Sequence, residues 1–203
     1  MEVRIARVIS VLFHPLLLPT YIFALLLTLN AHFALALPLH AKELLLGIIL
    51  LSTCIFPLLM AFLLKYNGRI MSMEMEQRQE RILILAISGI FYYLSLWMLQ
   101  QMHFSPVFQL FMSGTFYALV CTLLINFFWK ISLHMVASGG ATGALISVSL
   151  LLIQPIQAII LLTILMSGII GFARLKLASH NPAQVYLGWI VGLVVMLTAM
   201  NFF

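Results

Sequence analysis

Residues Ile156 to Phe202 read IQAIILLTILMSGIIGFARLKLASHNPAQVYLGWIVGLVVMLTAMNF: two apolar runs, 156–174 and 182–202, with a short polar link between them. Each run has about the 20 residues that an α-helix needs to cross a hydrocarbon core of roughly 30 Å. Backbone polar groups inside a bilayer must be satisfied within the segment itself, so the pattern predicts a transmembrane helical hairpin. The rest of the chain repeats the theme. Its 203 residues are 64% hydrophobic and 7% charged, with a mean hydropathy of +1.17. Soluble domains are about a quarter charged, so this composition predicts an all-α, polytopic transmembrane bundle forming one membrane domain over 1–203.

Five more apolar segments, 8–29, 44–64, 82–100, 107–129 and 134–153, bring the expectation to about six to seven spanning helices. Pro106, Pro155 and Pro182 fall near segment starts, where a missing N–H costs nothing. The link QPIQ, 154–157, predicts a tight hairpin. Residues 8–29 are the least regular segment, because Pro15 and Pro19 bend it or make it re-entrant. That segment is also long for the core of a secretory signal and lacks a clear small-residue cleavage site.

Seven crossings would put the N-terminus and residues 65–81, 130–138 and 175–181 on one face. Of the 10 lysines and arginines, all but Lys42 fall there. The positive-inside rule makes that face cytoplasmic, in an inner or cytoplasmic membrane, and leaves the C-terminus outside. His14, His134 and His180 share the basic face; His32, His40 and His103 take the other. Cys54 and Cys121 lie inside apolar runs and read as packing residues. The 5 acidic residues are all glutamates, Glu2, Glu43, Glu74, Glu76 and Glu80. Hard cations need several carboxylates, so magnesium-dependent prenyltransferases and CDP-alcohol phosphotransferases are poor fits; neither a metal nor a cofactor is expected. The bilayer is the expected partner, and nucleic acid is not.

Three stretches carry chemistry. In the polar link, Arg174 closes one run and His180 opens the next, so both sit near the same surface. Gln184 lies one turn beyond His180, where its amide can bond the imidazole. A guanidinium beside an imidazole suits a phosphate, one clamping oxygens and the other attacking or moving a proton; the plainer alternative is an interfacial loop with a snorkelling arginine. In WKISLHMVASGGATGAL, Trp129 to Leu145, the residues Lys130, His134 and Ser138 recur every four positions and predict one polar helical stripe. Ser138-Gly139-Gly140 then offers backbone N–H groups to an anion at a helix start, unless Gly139 and Gly143 form a GxxxG packing contact. In EMEQRQERI, Glu74 to Ile82, the pair Arg78 and Arg81 shares a helix face and either clamps phosphate or pairs with its neighbouring glutamates. His14, in FHPLLLPTY, lines the same site or is merely interfacial.

The spacing Arg174, five residues, His180, three residues, Gln184 resembles the third signature of the type-2 phosphatidic acid phosphatase superfamily, S-R-x5-H-x3-D. Ala137 to Gly140, ASGG, stands where that family has P-S-G-H, two crossings earlier and on the same face. The resemblance implies a phosphatase-like core over about 65–203, preceded by one or two extra helices, acting without metal on a membrane lipid phosphate. It implies that Arg174 binds phosphate, that His180 forms a phosphohistidine, and that Gln184 takes the supporting position. Lys130, Ser138, Gly139, Arg78 and Arg81 are expected to add phosphate contacts. Ala173 replaces the signature serine, Gln184 its aspartate and Gly140 its leaving-group histidine, for which His134 is the expected substitute. The K-x6-R-P signature is unmatched. Two other functions fit the residues: an inactive relative serving as lipid-phosphate binder, transporter or scaffold, and an intramembrane serine protease using Ser138 and His180. Gly188 and Gly192 permit close helix contact, and the oligomeric state stays open.

Overall fold

The computed structural model describes residues 2–72, 77–102, 104–153 and 155–202. Among them are helices and no strands: α1 (Glu2–Leu12), α2 (Leu18–Thr28), α3 (His32–Leu35), α4 (Leu39–Leu50), α5 (Phe56–Tyr66), α6 (Arg78–Gln101), α7 (Pro106–Asn126), α8 (Leu133–Leu152), α9 (Gln157–Lys176) and α10 (Pro182–Phe202). A π-helical turn, Leu51–Ile55, joins α4 and α5 into one helix, Leu39–Tyr66. That helix and α6 to α10 are each long and apolar enough to cross a membrane. Leu161, Leu162 and Leu165 on α9 are each nearly 60% exposed, a surface that only lipid makes favourable. The chain is an integral membrane protein built as an all-α bundle.

α8 is the central helix: 67% of its apolar window is buried, against 22% for α9. Its run of small residues explains this, because small side chains let backbones approach where lipid gives no hydrophobic drive. A Cβ added at Gly139 would collide with the Trp189 carbonyl, and one at Gly192 with the Val136 carbonyl. The α8–α10 contact is accordingly the most extensive in the bundle. The glycines of ASGG are thus helix-packing residues. α8 begins at Leu133, so Ser138 and Gly139 lie more than a turn inside it and not at an open helix start.

The segment expected as one span over 8–29 is two short helices, α1 and α2, with a break at residues 13–17. Pro15 has no N–H to give, and the His14 carbonyl instead accepts from Leu17 and Leu18. Glu2 pairs with Lys176 at the end of α9, and Lys42 Nζ donates to the Leu27 carbonyl. Residues 2–28 therefore still run from one end of the bundle to the other.

The π-helical turn also has a local cause. Pro57 cannot donate to the Thr53 carbonyl, and the Tyr92 hydroxyl of α6 donates to that carbonyl instead at 3.4 Å. Phe56 N–H meanwhile reaches back five residues to Leu51. The expected positions of Glu74, Glu76, His103 and Gln154 lie outside the described residues.

Candidate functional site

The polar link folds as two interlocked helix caps. α9 ends with Ser179 N–H bonded to the Arg174 carbonyl and Ala178 N–H to that of Leu175, the paired bonds of a Schellman motif. The residue that must turn left-handed there is Ala178, at φ 51°, a position glycine usually takes. Two residues later α10 starts. Asn181 Oδ1 accepts from Gln184 N–H at 2.9 Å, and Gln184 Oε1 accepts from Asn181 N–H at 3.2 Å, a reciprocal capping box with Pro182 in the first helical position.

His180 hangs on this box. Its Nδ1 is 2.9 Å from Gln184 Oε1. That oxygen already accepts a main-chain N–H, so it is the acceptor here as well, and Nδ1 carries the proton. The neutral ring then has its lone pair on Nε2. Burial, reinforced by the nearby Arg174, Lys130 and Arg81 charges, outweighs the Gln184 bond and pushes the His180 pKa down to about 4. At neutral pH the imidazole is uncharged and has an available nitrogen.

Around His180 lies a cavity of about 810 Å³. At its mouth stand Arg7, Arg81, Lys130 and Arg174 with His14, His134 and His180; no carboxylate is among the described residues that line it. Arg174 donates from a terminal nitrogen to Ser10 Oγ at 3.2 Å. The Ser10 carbonyl accepts from His134 Nε2 at 3.0 Å, so one residue of α1 ties α9 to α8. His14 packs edge-on against His134, ring centroids 5.6 Å apart, and its Nδ1 accepts from Leu16 N–H at 3.3 Å. Arg81, buried, is braced by Asn126 Oδ1 at 3.2 Å.

Of the residues expected to form a site, Arg174, His180, His134, Lys130 and Arg81 meet at this cavity, with Gln184 behind His180. Three do not reach it. Arg78 is exposed and does not line the cavity, although it sits three residues before Arg81 on α6. Ser138 is buried with its Oγ turned back to the Met135 carbonyl, and Gly139 faces α10. Lys130 arrives from the loop before α8, so the expected four-residue stripe does not exist as one helix face. Sequence reading missed Arg7, Ser10 and Asn126. Asn126 was the detectable one: a lone amide at the basic end of an apolar run must find a partner.

Comparison with known proteins gives no match: no family model, no curated protein and no solved structure resembles this chain.

Proposed function

We propose that the chain removes phosphate from a membrane lipid phosphate, with its headgroup among Arg174, Lys130 and Arg81 and with His180 as nucleophile. The observation that carries this reading is the cavity mouth. Four cationic side chains and three histidines surround it without a carboxylate among the described lining residues, and the cavity continues into apolar wall. Such a mouth favours a polyanion, and its continuation favours a substrate with a hydrocarbon tail. In the proposed reaction, His180 Nε2 forms a bond to phosphorus as the bond to the lipid oxygen breaks. The cations neutralise charge on the equatorial oxygens. The departing oxygen takes a proton from a second histidine in its imidazolium form; water then attacks the phosphohistidine, gives its proton back to that second imidazole, and releases phosphate as the bond from phosphorus to His180 Nε2 breaks.

His134 is the proposed proton donor, and as an imidazolium it would give from Nδ1, because its Nε2 is held by the Ser10 carbonyl. His14, packed edge-on against it, is the alternative donor. The serine-protease reading has no comparable support, since Ser138 is bonded within its helix and off the cavity wall. We place the mouth on the cytoplasmic side of an inner membrane, supported by the clustering of basic residues there.

The test is phosphate release from a panel of lipid phosphates by the purified protein, with His180→Ala, His134→Ala and His14→Ala. His180→Ala should lose about 10³-fold or more, and whichever of the other two variants collapses names the acid. The acid limb of kcat/KM should fall near pH 4, because the free enzyme's nucleophile protonates there and not at the ordinary histidine value. A wild type no faster than His180→Ala, yet bound by lipid phosphate, would turn the reading to a binding protein.

A further inference from the structure

The cavity runs well past its basic mouth. Arg81 and Tyr92 both line it, about 16 Å apart along α6, and Thr122 and Phe111 line it about 16 Å apart along α7, at 1.5 Å per helical residue. Between these levels the wall is largely apolar: Ile84 and Leu85 on α6, Leu119 on α7, Ala141 on α8 and Met196 on α10. Thr115 and Thr122 satisfy their hydroxyls on their own helix carbonyls. The far end is aromatic. Phe111 is 1% exposed and packs on Phe23 with centroids 5.9 Å apart. Phe23 packs tilted against Phe108 at 5.1 Å, and Phe108 meets Phe33 edge-on at 5.4 Å.

We infer that this cavity is a tunnel for one hydrocarbon chain, closed by Phe111, and that the lipid phosphate it takes carries a single chain of about one leaflet's length. The depth matches half of a hydrocarbon core of about 30 Å, which is the reach of one membrane acyl chain. The volume, about 810 Å³, falls among pockets of roughly 300–1,000 Å³ that enclose one drug-sized ligand. A single-chain lipid phosphate is that size, and a second chain nearly doubles it. The headgroup part of this inference rests on the lipid-phosphate reading above; the chain part rests on the tunnel and its aromatic end.

The experiment separates the two. Purified protein in phosphatidylcholine nanodiscs is titrated with n-alkyl phosphates and n-alkanols of matched length, from about 8 to about 22 carbons, and with a diacyl phosphatidate, reading the shift in thermal unfolding. Alkyl phosphates should stabilise the wild type with an optimum near about 16 carbons, and the diacyl lipid should give less than about half that shift. Phe111→Leu should move the optimum about two carbons longer, since an isobutyl group reaches less far than a phenyl ring. A response that rises with chain length without an optimum, or a diacyl lipid that matches the best single chain, overturns the inference. So does an unchanged optimum in Phe111→Leu; if that variant does not fold, the wild-type series and the diacyl comparison decide alone. Alkanols that match the phosphates while keeping the optimum overturn the headgroup reading and leave the tunnel standing. Phosphates that outperform alkanols without an optimum do the reverse.

Discussion

α8 meets α10 backbone to backbone, whereas α1 meets α8 and α9 through side chains and one main-chain carbonyl. In the first seam, Gly139 and Gly192 leave no room for even a methyl group, and Ser132 N–H bonds the Gln184 carbonyl at 3.3 Å across the helix starts. In the second, Ser10 serves two partners and Glu2 reaches Lys176 at an exposed edge. Both seams border the cavity, yet only the first sets the position of His180, because the capping box that carries it opens α10. The difference teaches where precision and tolerance lie. The His180 ring is mounted on contacts that cannot slide, and the wall facing it is held by bonds that can be remade.

Breaking the rigid seam should have the largest effect. Gly192→Ala forces a methyl into the Val136 carbonyl and should cost about 3 kcal/mol or more, or prevent folding, read as yield and thermal unfolding in micelles. Gly168→Ala is the control: nothing stands within 4 Å of its added Cβ, so helix propensity should make it up to about 1 kcal/mol more stable. Equal behaviour of the two variants would remove the distinction. Next comes the α6 wall. Arg81→Ala should slow phosphate release about 100-fold, while Arg78→Ala, whose side chain is exposed and does not line the cavity, should stay within about twofold; the reverse order would misplace the anion. The adaptable seam should respond least. Ser10→Ala removes the bond to Arg174 but keeps the main-chain carbonyl on His134, so stability should drop by only about 1 kcal/mol. Glu2→Gln should leave the unfolding midpoint unchanged, since the lost ion pair is exposed.

Helix number and limits were legible because a bilayer enforces length: the later segments were placed within a few residues of α6 to α10. The link 174–184 was legible for a related reason, as Asn181, Pro182 and Gln184 are local cap chemistry and need no distant partner to act. What sequence could not resolve was facing. Arg78 and Arg81 lie three residues apart and look alike, and it is Arg81 that the Asn126 amide on another helix braces inside the bundle. Ser138-Gly139 satisfies two rules at once, anion binding at a helix start and close helix packing. The start of α8 at Leu133, set by where the preceding loop crosses α10, decides for packing. Ser10 had no signal at all, because half of what it does is done by its main chain.

One oxygen, Gln184 Oε1, receives both the Asn181 main-chain N–H and the His180 ring N–H. The tautomer of the imidazole and the integrity of the first turn of α10 are therefore a single cooperative unit. Fraying that turn swings the amide away and frees the ring to move its proton to the other nitrogen, so Nε2 stays the bare ring nitrogen while the helix start is intact. A shortened amide, as in Gln184→Asn, would have to abandon one of its two donors, and whichever it abandoned would undo the other.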